Sequence, residues 1–301
     1  MKLSLIYISI CSALLFASCD FDGVKTSENN DAEVDTSNTN NLNLTVDSGI
    51  NSAESGEPYA LLKDTIQGEA NSMVYNGEGG LRVEWTLKKE NDPIELNDVV
   101  LVNYTARVAA GEEYDSNKAM NAPAPLKTNI GMMVEGWEKG LLQMNVGDIG
   151  RIMIPSAMAY GEDGYSSIVP PNADLIVEIE IIERVQPIVL DEGVKVYTWK
   201  KNVNGNNPEK NQLITFDYFA YKKGQKAGLY DNSFKDSQPF SFRLENDNVI
   251  DGLHQGMKVI KSDENAFIEI PAKLAYGNKG LVDLVPKNTD IVYDVRILSI
   301  D

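Results

Sequence analysis

Val134-Glu135-Gly136-Trp137-Glu138-Lys139-Gly140-Leu141-Leu142-Gln143-Met144 opens the stretch, running on to Pro171, whose reading decides the fold. Apolar residues at Val134, Trp137, Leu141 and Met144 fall on one face of a short helix, so that face must lie on something. Val146-Gly147-Asp148 is a turn signal, and Ile149 to Ile154 reads as a strand ended by Pro155. Ala159-Tyr160-Gly161 and Ile168-Val169-Pro170-Pro171 follow in a loop. Beyond it Leu175, Val177, Ile179 and Ile181 alternate with neighbours that include Glu178 and Glu180, which predicts a strand with one apolar face.

The same text is written twice. Ile250-Asp251-Gly252-Leu253 with Met257, Phe267 to Pro271, Ala275-Tyr276-Gly277 and Val285-Pro286 repeat that order. Pro155 and Pro271, Tyr160 and Tyr276, and Pro170 and Pro286 each stand 116 residues apart. Solenoid units repeat every 20 to 50 residues or so, so a unit this long is a duplicated domain. Upstream, Leu81, Val83 and Trp85 alternate as a first strand, and a second runs from Val99 to Val108 around Tyr104. Ala109-Ala110-Gly111-Glu112 is a hairpin turn into Tyr114-Asp115. Val194 to Trp199 and Ile214 to Tyr221, around Tyr218, repeat these two strands, and Gln186-Pro187 marks a short linker.

Tyr114-Asp115, Val134-Glu135-Gly136-Trp137, Ile154-Pro155, Ala159-Tyr160-Gly161 and Ile168-Val169-Pro170-Pro171 together resemble the signature of the FKBP-type peptidyl-prolyl cis-trans isomerases. The likeness spans roughly residues 80 to 185, with a weaker copy over the remainder. It implies an α+β fold of two domains, each a bent antiparallel sheet wrapped around one short helix with a pocket between them. In domain 1 it implies Trp137 as the pocket floor, with Tyr104, Tyr114, Leu126, Met133, Val134, Val169 and Val177 as walls. Tyr160 and the Val134 backbone N–H would donate hydrogen bonds to substrate carbonyls, and Asp115 would face the twisting carbonyl. Domain 1 departs from the family in showing Ala124 and Leu126 where an aromatic wall is common, and Tyr165 in the late loop. The implied pocket of domain 2 comprises Tyr218, Tyr230, Asp231, Phe240, Phe242, Val249, Ile250, Leu253, Tyr276, Val285 and Tyr293. There Leu253 replaces the tryptophan, Lys287 the second proline, and the Lys261–Asn265 turn lacks Val-Gly-Asp, so domain 2 reads as a degenerate copy with catalysis mainly in domain 1.

The chain has 301 residues and a formal charge of −18, from 45 acidic and 27 basic residues. Such acidity favours solubility and disfavours nucleic-acid binding. Residues 1–18 carry a short basic start and an apolar run too short for a permanent span, an export signal. Leu15-Phe16-Ala17-Ser18-Cys19 resembles the lipobox of bacterial lipoproteins, which implies lipid on Cys19 and removal of Cys11 with the signal. The mature chain would then have no thiol for disulfides, nucleophilic catalysis or zinc. Residues 19–57, rich in Asn, Asp, Ser and Thr, cannot offset their ordering entropy and read as a disordered tether about 35 Å end to end. Residues 58–79 have no clean periodicity and read either as a short helix on domain 1 or as more tether. Domain 1 is placed at 80–186 and domain 2 at 187–301.

Rotation of an X-Pro amide needs no nucleophile, metal or cofactor. An apolar pocket penalises the polar planar amide more than its twisted transition state. His254 is the only histidine and is read as exposed polar surface, so no His-rich metal cluster can form. No phosphate-binding glycine motif occurs. The expectation is therefore a lipid-anchored, extracytoplasmic prolyl isomerase of the cell envelope, on the outer membrane in preference to the inner. Its partners would be proline-containing peptides and unfolded envelope proteins. The competing class is a non-catalytic chaperone or adaptor, or a component of an envelope assembly, since the tandem layout also resembles gliding-associated lipoproteins.

Overall fold

The computed structural model describes residues 73–90 and 92–301. The export signal, Cys19, the tether and residues 58–72 lie outside the described residues.

Domain 1 runs β1 (Val74–Asn76), β2 (Arg82–Leu87), β3 (Val99–Val108), β4 (Glu113–Ser116), β5 (Ala124–Lys127), α1 (Glu135–Leu141), β6 (Ile149–Ile154) and β7 (Leu175–Arg184). The strands pair antiparallel in the order β1-β2-β6-β7-β3-β4, with β5 also on β3. The end of the segment read as uncertain is thus an edge strand of domain 1.

Domain 2 repeats the plan with β8 (Ile188–Val189), β9 (Lys195–Lys200), β10 (Leu213–Lys222), β11 (Leu229–Asn232), β12 (Phe240–Arg243), α2 (Asp251–Met257), β13 (Asn265–Ile270) and β14 (Ile291–Ile300). Its order, β8-β9-β13-β14-β10-β11 with β12 on β10, is that of domain 1 strand for strand. From β4 and β11 onward every paired element begins 116 residues apart.

Each helix lies on the sheet through glycines as well as apolar side chains. A Cβ on Gly136 would sit 2.3 Å from Ile154 Cγ2, and one on Gly140 would sit 2.3 Å from Ile152 Cγ2. Gly252 and Gly256 meet Ile270 and Ile268 in the same way. Trp137 and Leu141 then fill the remaining space, and Met144 is buried just beyond the last turn.

The turn from α1 to β6 is held by Asp148. Its buried carboxylate accepts hydrogen bonds from Trp85 Nε1 at 2.8 Å, the Lys89 N–H at 2.6 Å and the Asn145 N–H at 2.9 Å. Glu264 does this work in domain 2, accepting from the Asn202 and Lys261 N–H groups at 3.0 and 2.9 Å. The missing Val-Gly-Asp is therefore a change of residue and not a loss of the staple.

The two domains differ on the sheet face turned away from the helix. In domain 1 the neighbours across that face are Glu84, Arg151, Glu178 and Thr105. In domain 2 the same places hold Tyr197, Phe267, Asp294 and Phe219. Tyr197, Phe219, Tyr221, Phe267 and Val292 form one continuous apolar cluster with the core of domain 1. The end of β5, the segment after it and the first turn of α1 meet domain 2. Lys127, its side chain fully buried, reaches Glu269 at 3.1 Å, donates to the Asn97 carbonyl at 2.9 Å and lies 4.3 Å from the centre of the Tyr197 ring. Lys223 completes the cluster at 2.6 Å from the other Glu269 oxygen.

Candidate functional site

In domain 1, β3 carries Tyr104, β4 carries Tyr114 and Asp115, β5 carries Leu126, and β7 carries Val177. Tyr104 donates a hydrogen bond from its hydroxyl to Asp115 Oδ2 at 3.0 Å, and its ring lies 5.2 Å from that of Trp137 at 59°. These residues do converge. Tyr104, Leu126, Val169 and Val177 are wholly buried, and Trp137 is only 5% exposed, so the expected floor and most of the walls are continuous with the core. The indole N–H has no hydrogen-bond acceptor among the described residues. Tyr114, Asp115, Val134 and Tyr160 are half-buried.

Val134 caps α1 in extended conformation, which starts the helix with its backbone at the edge of a 520 Å³ cavity. Met133, Val134, Tyr160 and Tyr165 line it from domain 1, and Gln225 and Lys226 line it from domain 2. The Tyr160 and Tyr165 rings pack at 5.1 Å. Burial pushes the Tyr160 hydroxyl up to about 12, so at neutral pH it stays protonated and can donate. Burial raises Tyr114 as well.

Domain 2 builds the same tyrosine–carboxylate pair, and there the pair itself borders a cavity. Tyr218 donates to Asp231 Oδ2 at 2.7 Å, and Lys235 holds the other carboxylate oxygen at 2.5 Å. A 540 Å³ cavity is lined by Tyr218, Asp231, Phe240, Ile250, Leu253 and Tyr276, with Val249, Tyr293 and Phe216 completing its walls. Cavities of about 300 to 1,000 Å³ with mostly apolar walls and a few polar groups are the usual form of a small-ligand site. Tyr218 lies 5.4 Å from Tyr293 and 6.2 Å from Phe240, and Tyr230 packs edge-on to Tyr276 at 6.4 Å. Burial lifts the Tyr230 and Tyr293 hydroxyls well above the ordinary phenol range. Phe242 and Val285 are buried behind the cavity.

Phe216 was not among the residues singled out from the sequence, although its place two residues before Tyr218 on one strand face could have suggested it. The hairpin residues Gln225 and Lys226 were missed too. His254 is a correction: it is half-buried and not simply exposed, accepting from the Glu245 N–H at Nδ1, with Nε2 3.0 Å from the Asp247 carbonyl oxygen. Its ring packs edge-on to Phe242 at 5.1 Å, so it braces the loop leading into α2.

The sequence model of the FKBP-type peptidyl-prolyl cis-trans isomerases matches residues 90–182 and again 204–298. The chain belongs to this FKBP family. Among curated relatives it is 25% identical over 229 residues to the human peptidyl-prolyl cis-trans isomerase FKBP10, covering 75% of this chain and 38% of that protein. It is 29% identical over 107 residues to FK506-binding protein 1 of Candida glabrata, covering 35% of this chain and 94% of that protein. The crystal structure of the three FKBP domains of wheat FKBP73 shares 20% identity and a TM-score of 0.38, over 76% of this chain and 99% of that one. The chain thus spans well under half the length of the larger FKBP relatives that it matches.

Proposed function

We propose that this FKBP protein is a peptidyl-prolyl cis-trans isomerase acting on proline-containing segments of exported or envelope proteins. What carries the reading is a tyrosine–carboxylate hydrogen bond in each domain, together with a cavity at the start of each helix that Tyr160 lines in domain 1 and that Tyr218, Asp231 and Tyr276 line in domain 2. In such a cavity the planar amide loses hydration, whereas the twisted amide, with less charge separation, loses less. A phenol donor at Tyr160 or Tyr276 can hold the carbonyl flanking the bond while it turns. Uncatalysed, that rotation takes tens to hundreds of seconds, slow enough to limit folding of newly exported chains.

The residue pattern alone favours domain 1 for catalysis, because only domain 1 has the tryptophan. The geometry gives domain 2 an equal claim, since its cavity opens onto Tyr218, Asp231, Leu253 and Tyr276 together. On this reading the leader and Leu15 to Cys19 hold the protein at the envelope through lipid, and labelling cells with palmitate and then fractionating the membranes tests that part.

A protease-coupled assay on Ala-Leu-Pro-Phe peptides tests the activity. Tyr160→Phe and Tyr276→Phe, alone and combined, should each lower kcat/KM, about ten-fold in the double variant, the worth of one hydrogen bond made in the transition state. Absence of acceleration by the unaltered full chain would sink the enzymatic reading and leave a proline-binding adaptor, a role that Leu253 in place of tryptophan suits in domain 2.

A further inference from the structure

The β10–β11 hairpin of domain 2, Lys223 to Gly228, has six residues, whereas the matching β3–β4 turn of domain 1, Ala109 to Glu112, has four. The longer turn does not hang in solvent. Its Gly224 N–H donates to the Asn129 carbonyl at 2.7 Å, and the backbones are so close that a Cβ on Gly131 would sit 2.3 Å from the Lys226 carbonyl oxygen. A Cβ on Gly228 would come within 1.9 Å of the Ile130 oxygen. Glu135, in the first turn of α1, holds Lys139 at 2.7 Å and Lys226 at 2.5 Å. Below the hairpin, Lys223, Glu269 and Lys127 tie the same two segments through buried charge. The hairpin is therefore a fixed part of domain 1's surroundings.

It forms one wall of the cavity at the start of α1. The 520 Å³ cavity has Val134 and Tyr160, the two residues given the task of holding substrate carbonyls, on one side and Gln225 and Lys226 on the other. Its domain 1 wall joins the apolar side chains of Met133, Met158 and Tyr165 to the polar ones of Asn129, Glu138, Lys139 and Asp163. Methionine side chains adapt readily to varied apolar shapes. The carboxylate of Glu135 is already matched by two lysines, so the groove presents no unanswered charge there. The cavity of domain 2 is lined by domain 2 residues alone.

We propose that the Gly224–Lys226 hairpin of domain 2 is a specificity-determining wall of the domain 1 peptide site, selecting proline segments with a bulky apolar residue beside the proline. This rests on the reading of domain 1 as a proline-binding site. The two domains would accordingly differ in the flanking residues that they accept.

The test uses the full chain carrying Tyr276→Phe and Asp231→Ala to silence domain 2, with and without Gln225→Ala plus Lys226→Ala. Peptides Ala-Ala-Pro-Ala and Ala-Ala-Pro-Leu, and their Leu-Pro-Ala counterpart, are compared by kcat/KM, and hydrogen exchange is read with each peptide in excess. The expected result is a preference for a leucine peptide over the alanine peptide that drops about ten-fold in the hairpin variant, the scale of one apolar side chain in a pocket. Exchange should slow at 223–228 together with 131–139 and 157–165. A preference unchanged within two-fold, or slowing in domain 1 without slowing at 223–228, overturns the proposal while leaving domain 1 a peptide site. No slowing and no turnover in domain 1 with any peptide overturns both, and melting curves of the variants show that each is folded.

Discussion

Replacing Glu269 by Gln removes the negative charge from the middle of the domain junction and leaves the Lys127 amine, with a fully buried side chain, facing only neutral groups: the Asn97 carbonyl, the new amide oxygen and the Tyr197 ring. In the intact protein burial pulls the Lys127 amine below its ordinary value while Glu269 pushes it back up. Burial likewise tends to raise Glu269, but Lys127 and Lys223 more than offset that and hold it below the usual carboxylate range. Breaking one side of a buried pair costs about 3 to 5 kcal/mol. There is a ceiling, because the stranded amine can give up its proton. From an ordinary value near 10.4, deprotonation at pH 7 costs about 4.6 kcal/mol, and the ceiling falls by about 1.4 kcal/mol for each unit of rising pH. The deficit of Glu269→Gln should thus be about 3 to 5 kcal/mol at pH 7 and at most about 2 kcal/mol near pH 9. Toward acid it should also close: a depressed carboxylate gives stability that is present above its unfolded value, near 4.3, and lost as pH falls through the folded one. Lys127→Met is the contrast. Glu269 keeps Lys223 at 2.6 Å, and methionine refills the slot, so the cost should stay within about 1 kcal/mol. Urea unfolding of the full chain, followed by circular dichroism and by tryptophan fluorescence from Trp85, Trp137 and Trp199, measures both, and coincidence of the two curves shows whether the domains unfold together. Equal deficits for the two variants, or a Glu269→Gln deficit that does not shrink between pH 7 and pH 9, would refute the reasoning.

Gly131→Ala forces a Cβ against the Lys226 and Gln225 carbonyls at a backbone φ of +67°, so exchange protection at 223–228 should fall while the cavity of domain 2 is untouched. Gly140→Ala drives a methyl into Ile152 and should cost about 1 to 3 kcal/mol in urea despite alanine's better helix propensity. Burial raises the Asp294 carboxyl to about 6, with Arg296 and the Trp199 indole N–H only partly offsetting it. A raised value means that the protonated form suits the fold, so stability is full below the unfolded value and is lost as pH rises through about 6. Asp294→Asn should therefore gain roughly 3 kcal/mol over wild type at pH 7 and nothing below pH 4 or so, checked by melting at both.

Much of the fold was legible because the repeat puts every pattern on the page twice. The helix at Val134, the strand closed by Pro155 and the alternation after Leu175 stand where periodicity places them. Less legible were features that carry no apolar signal. Gly136 and Gly140 set how closely α1 approaches the sheet, yet a search for apolar faces passes over glycine. Glu264 replaces Asp148 with a longer side chain, so a motif search reports a loss where the hydrogen bonds persist. The packing of domain 2 against domain 1 was written in the opposite phase of its strands, as Tyr197, Phe219 and Phe267, but apolar residues on both strand faces read simply as a buried sheet. At the sites, the family resemblance singled out the tyrosines, Asp115 and Asp231, but the depth at which Trp137 and Tyr104 sit depends on three-dimensional packing.

The two extra residues in the hairpin of domain 2 give the tandem a direction. Transposing the domains would put the four-residue Ala109–Glu112 turn where the six-residue one now stands, too short to roof its neighbour, and would leave the Lys223–Gly228 arm reaching into open water. In two halves built to one plan, a loop two residues longer makes the first a composite and leaves the second self-contained, so neither can stand in for the other.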